Sequence, residues 1–511
     1  MSSTPTRPNV LFIVADQHNA KVLGHQNHPD VHTPRLDALA KQGVRFDTAI
    51  CQSPICTPSR VSFLSGQYGH NHGYYGLGGP RPHGLPSVLG HFRQAGYTTA
   101  AIGKIHCPAY WVEDDSDRFQ EVDGTSIGGN PDYRQFLQQE GVLDAWQNGE
   151  KRKGIYGQSM DGFCLPLTYR QSPEGWSVIQ AVEFMDEAQA AGQPFFAHVS
   201  FPRPHQVYAP SREFWEMYDE NTLTLPPNAE GGGTHKAPHM LEMAQEYRKN
   251  LGWVEFEPRT YEAGYRRKLR GYLGNVSMVD HAVGELLDHL DQAGLAENTV
   301  VVYTADHGDY AGEHGLIEKA PGICSDAITR VPLLWRWPGQ VPAGQRREQI
   351  AELVDVPATL CALAGLEPMQ TADGQDLSAI LKDPAAEPVH RVGVTEHAWS
   401  KSVRRGQYRY VYYPREMFAE PYPEGFGELY DLEADPWEMR NLYFEPEHRE
   451  TVARMHAELT DWLITTTRPV TTNCAHQPSG WQALRRWGCS VNADGKIHPD
   501  NLRGLRNRNY V

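Results

Sequence analysis

The sequence is poor in cysteine and contains no long apolar run. Its 511 residues include eight cysteines, none of them in a CxxC pair, at Cys51, Cys56, Cys107, Cys164, Cys324, Cys361, Cys474 and Cys489. This pattern excludes a disulfide-rich scaffold. No stretch approaches the roughly 18 apolar residues of a membrane-spanning helix, and the apolar run from Val10 to Ala15 is only six residues long. We therefore expect a soluble chain in the reducing cytoplasm, without a membrane partner.

Positive charge is also scarce. The chain has 47 Lys and Arg against 63 Asp and Glu, which gives a net charge of -16. A surface this acidic repels phosphate backbones, so nucleic acid is excluded as a partner. If the substrate is an anion, a local cluster of cations has to overcome this field. The remaining composition, 40% hydrophobic and 22% charged, is that of an ordinary globular protein.

Two short runs rich in β-branched residues each contain an acid where the apolar run ends. NVLFIVAD (9–16) and VVYTADHGD (301–309) are typical of buried parallel strands, and their acids are Asp16 and Asp306. Residues 275–294 repeat apolar side chains at three- and four-residue steps, which predicts a helix. The alternation predicts an α/β fold, with a large, mostly parallel sheet between helices and ligands at the carboxyl ends of the strands.

The pattern changes near residue 370. Beyond it, short alternating strands and a helix from roughly Pro446 to Thr465 predict a smaller α+β unit with a short antiparallel sheet. We divide the chain into a catalytic domain (1–375), a C-terminal α+β domain (376–468) and an extended arm (469–511).

Two further segments carry expectations about packing. The arm contains Trp481 and Trp487, which a free disordered tail rarely keeps. We expect the arm to pack over a neighbouring subunit or the active-site mouth, and we therefore expect a homo-oligomer.

Three glycines among prolines and polar residues predict a flexible surface insertion over 227–238. His198 lies inside an apolar run and is expected to be a buried core histidine.

The most specific motif is CTPSR, residues 56–60. Alone, Cys56 would be read as a packing residue, since free cysteine is among the most buried residue types. The pentapeptide resembles the sulfatase maturation signature Cys-x-Pro-x-Arg, and the resemblance continues through VSFLSGQYGHNHG and over most of residues 9–465. It implies an alkaline-phosphatase-like fold and oxidation of Cys56 to Cα-formylglycine by a formylglycine-generating enzyme. It also implies hydrolysis of a small sulfate monoester to an alcohol or phenol plus sulfate, through a covalent sulfo-enzyme.

The same resemblance implies one divalent ion, Ca²⁺ or Mn²⁺. Its ligands would be Asp16, Gln17, matured Cys56, Asp306 and His307. The commoner family pattern has aspartate in place of Gln17 and asparagine or glutamine in place of His307; ADQ with DHG resembles phosphonate monoester hydrolases and choline sulfatases. A nitrogen ligand suits manganese better than calcium. An acid at a strand end can also simply cap the next helix.

Basic residues in further motifs match family positions that handle charge and protons. Arg60 would steady the modified residue 56. In GKIH, Lys104 would contact sulfate and His106 would take a proton from the second hydroxyl. His205 in PRPH would contact sulfate, and Lys319 in IEKAP would face the bridging oxygen. Either His205 or Lys319 would protonate the leaving group, and together the cations would form the required positive pocket.

Two alternatives remain. A phosphonate monoester or phosphodiester hydrolase on the same scaffold is suggested by Gln17 and His307, although the enzymes it would resemble lack the Lys-x-His element seen at Lys104 and His106. The other is an unmodified anion-binding or scaffolding protein, against which every matched position carries a competent side chain. The sequence leaves the substrate open, because the aromatic residues that could line a pocket could equally be core: Tyr74, Tyr75, Tyr110, Trp111 and Trp399.

Overall fold

The computed structural model describes residues 7–80, 82, 84–122, 131–145, 162–249, 261–319 and 323–467. The predicted arm at 469–511 lies outside the described residues.

The strands are short at the edges of the fold and long at its centre. In chain order they are β1 (Asn9–Asp16), β2 (Val44–Phe46), β3 (Ala49–Ile50), β4 (Thr98–Gly103), β5 (Arg118–Glu121), β6 (Phe195–Pro204), β7 (Thr299–Ala305), β8 (Arg330–Val331), β9 (Leu333–Arg336), β10 (Gln345–Arg347), β11 (Ala351–Glu352), β12 (Gly393–Glu396), β13 (Lys401–Arg405), β14 (Tyr408–Tyr412) and β15 (Gly427–Asp431).

Helices separate most of the strands. They are α1 (Pro34–Gln42), α2 (Cys56–Ser65), α3 (Gly69–His72), α4 (Val88–Gln94), α5 (Trp111–Asp114), α6 (Pro131–Gln139), α7 (Pro173–Ala190), α8 (Arg212–Trp215), α9 (Pro238–Lys249), α10 (Tyr261–Gln292), α11 (Asp326–Thr329), α12 (Asp355–Leu363), α13 (Ser378–Lys382) and α14 (Arg449–Thr466). The helix predicted over 275–294 is the second half of α10. In the described ranges, none of these helices has both the length and the apolar character needed to cross a bilayer.

Eight strands form the large sheet, in the order β10-β2-β9-β7-β1-β6-β4-β5. From β7 to β5 all neighbours run parallel, whereas β9 runs antiparallel to both β7 and β2. The predicted mixed, mostly parallel sheet is therefore confirmed. Strands β1 and β6 are buried along their whole length, and in β1 this burial accounts for the continuous apolar run in the sequence.

Helices cover both faces of this sheet. Alternate residues of β1 point to opposite faces: Val10, Phe12 and Val14 pack with α2, α4 and α12, and Leu11 and Ile13 pack with α1, α7 and α10. A two-residue side-chain period on a buried strand requires an apolar layer on each face, and these helices supply it.

A second, antiparallel sheet follows in the chain, in the order β12-β13-β14-β15. Helix α14 packs Met455, Leu459 and Trp462 against it. This agrees with the predicted C-terminal α+β unit and with the predicted helix, which differs by only a few residues at its start. The domain boundaries at 375 and 468 stay predictions.

The insertion predicted at 227–238 lies partly at the surface, because residues 232–235 are exposed whereas others are buried; its flexibility stays a prediction. Asn228, Lys236 and Ala237 are buried, and Asn228 Nδ2 donates to the carbonyl of Trp437 over 2.9 Å. Asn228, Thr234 and Lys236 all donate to carbonyls of a turn some two hundred residues later in the chain, and no local pattern reports such partners.

His198 is a core histidine, as expected. Its ring packs between Phe12 and Phe63, and burial lowers its pKa to about 3, so the ring is neutral.

Candidate active site

Two neighbouring strands bring Asp16 and Asp306 to the same edge of the large sheet. Asp16 is the last residue of β1, Asp306 directly follows β7, and the preceding residues Ala15 and Ala305 are paired in parallel register. Both carboxylates are fully buried. Carboxyl ends of parallel strands are where α/β proteins bind ligands, and two buried acids there would repel each other without a compensating charge.

Cys56 lies against this pair at the first residue of α2. Its Sγ is 3.2 Å from Nε2 of His307 and 3.8 Å from Oδ1 of Asp16. One donor atom from each of Asp16, Cys56, Asp306 and His307 lies within 4.8 Å of the other three. Two carboxylate oxygens, an imidazole nitrogen and a sulfur therefore converge at one buried point. This donor set fits a divalent cation.

Arg60 supplies the compensating charge. Its Nε donates to Oδ2 of Asp306 over 2.9 Å, and its Nη2 is 3.4 Å from Oδ2 of Asp16. Burial would lower the pKa of Arg60, but Asp306 and Asp16 raise it, so the guanidinium stays charged. Residues four apart share a helix face, which explains the spacing of Cys56 and Arg60. Arg60 thus steadies the two acids beside position 56.

Lys104 follows β4 and forms an ion pair with Oδ2 of Asp16. Burial alone would raise the pKa of Asp16. The cations Lys104 and Arg60, together with His205, lower it instead to about 2. Asp16 is therefore ionised, as a metal ligand must be.

His106 is fixed beside Cys56 through its backbone. Its N–H donates to Oε1 of Glu121 over 2.8 Å, and its carbonyl accepts from Oγ1 of Thr57 over 2.9 Å. Its backbone is left-handed (φ 48°), which is uncommon outside glycine. Among the described residues, its Nδ1 is buried without a hydrogen-bond partner.

Lys319, His205 and Gln17 form a second group next to the cluster. Lys319 Nζ donates to Oε1 of Gln17 over 2.7 Å and to Nε2 of His205 over 3.1 Å. Burial, followed by Lys319 and Lys104, lowers the pKa of His205. The carbonyl oxygen of Gln17 thus faces Lys319, and the role of Gln17 as an ion ligand stays a prediction.

The cations change the titration of the central groups. Burial would raise the pKa of Cys56, but Lys319, Lys104 and His307 hold it well below its usual value. Burial alone would lower the pKa of His307, but Asp306 and Cys56 raise it above its usual value. Three cations, Arg60, Lys104 and Lys319, thus surround position 56 in a chain of net charge -16, and an anionic substrate needs such a local cluster.

Sequence reasoning missed Asp309. Its Oδ2 accepts from Nε2 of Gln17 over 2.5 Å and from the hydroxyl of Tyr208 over 2.9 Å, while Oδ1 accepts the backbone N–H groups of Ala311 and Glu318. Burial raises its pKa. The only sequence signal was its place in the DHGD run, three residues after Asp306.

Most of the candidate pocket aromatics are packing residues. Tyr74, Trp111 and Trp399 are buried, whereas Tyr75 is half-buried and Tyr110 is 64% exposed. The indole N–H of Trp111 donates a hydrogen bond to the carbonyl of Leu85.

Two protein-family models match this chain. The family model described as Sulfatase matches residues 8–366, and one described as N-sulphoglucosamine sulphohydrolase, C-terminal, matches 312–464. A choline-sulfatase of Rhizobium meliloti (strain 1021) is 30% identical over 455 residues, 87% of this chain and 84% of that relative. An arylsulfatase of Clostridium perfringens (strain 13 / Type A) is 26% identical over 466 residues, 87% of this chain and 92% of that relative.

Solved structures share the fold. A phosphonate monoester hydrolase from Silicibacter pomeroyi superposes with a TM-score of 0.73 at 24% identity, covering 90% of this chain and 96% of that one. A protein solved in complex with its substrate D-glucosamine-2-N,6-O-disulfate gives a TM-score of 0.71 at 19% identity, covering 90% of this chain and 98% of that one.

Proposed function

The chain belongs to the sulfatase family and is a sulfuric ester hydrolase, and we propose that it cleaves small sulfate monoesters through a formylglycine formed from Cys56. The observation that carries this proposal is the position of Cys56. Its sulfur is 3.2 Å from His307 and 3.8 Å from Asp16, and Lys319 and Lys104 are close enough to hold its pKa well below the usual value. A nucleophile at this point is stabilised as an anion.

The hydrated aldehyde explains why the position has to be modified. It carries two hydroxyl groups on one carbon: one attacks sulfur, and deprotonation of the other later expels sulfate by C–O cleavage and restores the aldehyde. An unmodified thiol or a serine hydroxyl could attack but has no second hydroxyl with which to release the product.

The residues that would hold a divalent ion are Asp16, Asp306, His307 and the modified residue 56, with Gln17 as a fifth candidate. When bound, such an ion lowers the pKa of a coordinated hydroxyl and neutralises anionic charge. The imidazole of His307 favours Mn²⁺ over Ca²⁺. Arg60 orients Asp16 and Asp306.

The remaining residues bind the anion and move protons. Lys104 and Lys319 attract the sulfate oxygens. As the bond between sulfur and the ester oxygen breaks, Lys319 or His205 gives a proton to that oxygen, and the alcohol or phenol leaves. His106, whose Nδ1 has no partner within the described residues, then takes the proton of the second hydroxyl of residue 56.

Two measurements test the proposal. In active protein, the mass of the peptide that contains residue 56 should fall by about 18 Da, the difference between cysteine and formylglycine. Cys56→Ala should lose turnover while keeping its fold. An unmodified thiol in active enzyme, or full activity in Cys56→Ala, contradicts the proposal.

A second candidate function is hydrolysis of phosphonate monoesters or phosphodiesters. Gln17 and His307 favour it, whereas the fold is shared both with a phosphonate monoester hydrolase and with the structure that holds a sulfated glucosamine. The catalytic efficiencies on an aryl sulfate and on an aryl phosphonate monoester with the same leaving group decide between the two. We expect sulfate to be preferred; a preference for phosphonate of orders of magnitude would reverse the assignment.

The alcohol part of the substrate is best sought among small sulfates. The relatives include a choline-sulfatase and an arylsulfatase, and one structural neighbour was solved with a sulfated glucosamine. A panel of choline, aryl and monosaccharide sulfates, assayed with fully matured enzyme in Mn²⁺ and in Ca²⁺, identifies both the substrate class and the ion.

Location and partners complete the proposal. We propose a cytoplasmic homo-oligomer matured by a formylglycine-generating enzyme. The cysteines of the described residues are free thiols, which suits a reducing compartment. Cell fractionation tests the location, solution scattering tests the oligomer, and co-expression with and without the maturation enzyme tests the dependence on it.

A further inference from the structure

The segment that leads to Lys319 has an unusual backbone. Ala311 (φ 45°), His314 (φ 57°) and Glu318 (φ 66°) all adopt left-handed conformations that residues with a side chain rarely take. Such conformations persist only where the surroundings hold them. The contacts on this segment therefore decide where Lys319 points.

One carboxylate touches the segment on both sides of Lys319. Oε2 of Glu438 accepts a hydrogen bond from Oγ of Ser325 over 2.5 Å and is 3.5 Å from Nε2 of His314. The backbone N–H of Asp326 is 3.3 Å from both carboxylate oxygens. His314 precedes Lys319 by five residues, and Ser325 follows it by six.

Glu438 is itself held by the C-terminal sheet. It lies in the turn that follows β15, is 2% exposed and also has a left-handed backbone (φ 52°). Arg409 of β14 pairs with its Oε1 and also donates to the carbonyl of Cys324. A buried Arg–carboxylate pair of this kind is rigid and directional.

A second set of contacts ties the same turn to the segment. The carbonyl of Pro436 accepts from Nζ of Lys21 over 3.0 Å, and the same ammonium is 2.7 Å from Oε2 of Glu313. Nζ of Lys21 also lies 4.5 Å from the ring centroid of Trp437. The turn thus contacts the segment before Lys319 through Lys21 and on both sides of it through Glu438.

We propose that Glu438 is a positioning residue that clamps His314 and Ser325, and thereby aims Lys319 at Gln17 and His205. This inference rests on the proposed function, because it assigns Glu438 a role in a reaction that uses Lys319. Glu438 does not contact the substrate; it acts through Lys319 alone.

A double-mutant cycle tests the inference. Glu438→Gln, Lys319→Ala and the double variant are matured, loaded with metal and assayed for kcat and KM on an aryl sulfate and an alkyl sulfate. We expect Glu438→Gln to lower kcat about tenfold with KM nearly unchanged, and to change it less than about twofold once Lys319 is absent. The fall in kcat caused by Glu438→Gln should be larger on the alkyl sulfate, because its leaving group needs a proton. If the fall in kcat of the double variant equals the product of the falls in the two single variants, the inference is overturned.

Controls separate positioning from stability. Asp280→Asn removes another buried carboxylate, which accepts the backbone N–H groups of Arg35 and Leu36 at the start of α1, and it should keep the wild-type kcat. A kcat loss in Asp280→Asn equal to that in Glu438→Gln overturns the inference. Ser325→Ala removes one hydrogen bond from the same carboxylate; if Glu438→Gln fails to fold, the cycle with Lys319→Ala is decided on Ser325→Ala.

Failure of the inference and failure of the proposed function are distinct. Wild-type enzyme that hydrolyses no sulfate ester contradicts the proposed function. Active wild-type enzyme with independent effects of Glu438 and Lys319 contradicts only the positioning role.

Discussion

The ammonium of Lys319 donates a hydrogen bond to Nε2 of His205 over 3.1 Å. Nδ1 of the same ring faces the carbonyl oxygen of Gln206 at 2.6 Å. A carbonyl only accepts hydrogen bonds, so the ring proton lies on Nδ1 and Nε2 accepts from Lys319. Of the two candidates for protonating the leaving group, Lys319 therefore carries protons on the atom between Gln17 and His205, whereas the ring proton of His205 is bonded to the carbonyl of Gln206.

Lys319→Ala should accordingly slow the enzyme most on esters with poor leaving groups. We expect kcat on an alkyl sulfate to fall by about 10²–10⁴-fold, the usual worth of a general acid. The loss on a nitrophenyl sulfate should be far smaller, because nitrophenolate leaves without a proton. Plotting rate against leaving-group pKa for wild type, Lys319→Ala and His205→Ala checks this, and an equal loss on all esters in Lys319→Ala would contradict it.

Removal of divalent ions should abolish activity and lower the melting temperature. Asp16 and Asp306 are buried side by side with donor atoms of Cys56 and His307, and an ion bound only by the folded state at a hundred times its Kd adds about 2.7 kcal/mol to the free energy of unfolding. Melting curves and assays after chelation, then with Mn²⁺ or Ca²⁺ restored, measure both effects. His307→Ala is the control in which the thermal gain should shrink. Metal-free protein with full activity would refute the assignment.

Asp309→Asn should disturb Gln17. Oδ1 of Asp309 accepts two backbone N–H groups, from Ala311 and Glu318, so the asparagine amide nitrogen would occupy the position that now accepts from Nε2 of Gln17. Two donors would then face each other, and Gln17 would have to turn its carbonyl away from Lys319.

We expect a fall in kcat of about tenfold for Asp309→Asn, the cost of one misplaced hydrogen bond to a charged group. Tyr208→Phe is the matched control, because it removes a hydrogen bond to the same Oδ2 and leaves the carboxylate in place; its kcat should change much less. Equal kcat values in the two variants would show that Asp309 does not act through Gln17.

Stability should fall between neutral and alkaline pH because of His390. Nε2 of His390 is 2.8 Å from Oδ2 of Asp355. Burial lowers its pKa, but Asp355 and Glu352 raise it from 6.5 to about 9. The folded state holds this proton more tightly than the unfolded state, so the extra stability is complete below pH 6.5 and is lost as pH rises through 9.

The full effect of His390 is about 3 kcal/mol, from 1.36 kcal/mol per pKa unit. Denaturant unfolding of wild type and His390→Gln at pH 6 and at pH 10 measures it. The substituted protein should lose this part of the pH dependence, and an unchanged pH dependence would contradict the assignment.

Some of the site was readable from local sequence. Cys56 and Arg60 are four residues apart, so any helix starting at Cys56 places them on one face. Asp16 and Asp306 each follow a buried apolar strand, and the carboxyl ends of parallel strands meet at one edge of a sheet. Local periodicity and spacing were sufficient in these cases because each residue's position depends on its own strand or helix.

Other features depended on partners far along the chain. In the glycine-rich segment at 227–238, residues 232–235 are exposed as expected, but Asn228 is buried and donates a hydrogen bond to the carbonyl of Trp437. In the sequence, Asp309 is only the last residue of a motif, and its hydrogen bonds to Gln17 and Tyr208 form only in the folded chain. A polar side chain has several possible hydrogen-bond partners, and periodicity reports burial without saying which partner is nearby.

By itself the sequence determined the α/β class, the sheet-edge acids and the Cys56–Arg60 helix face, because these follow from side-chain periods of two and 3.6 residues. Only the tertiary structure decided that Gln17 presents its oxygen to Lys319, 302 residues away. It also decided that Glu438 contacts His314 and Ser325, which precede and follow Lys319 in the chain. The physical reason is that a hydrogen bond depends on the distance and direction between two atoms, which are set by the packing of the whole sheet and the C-terminal unit.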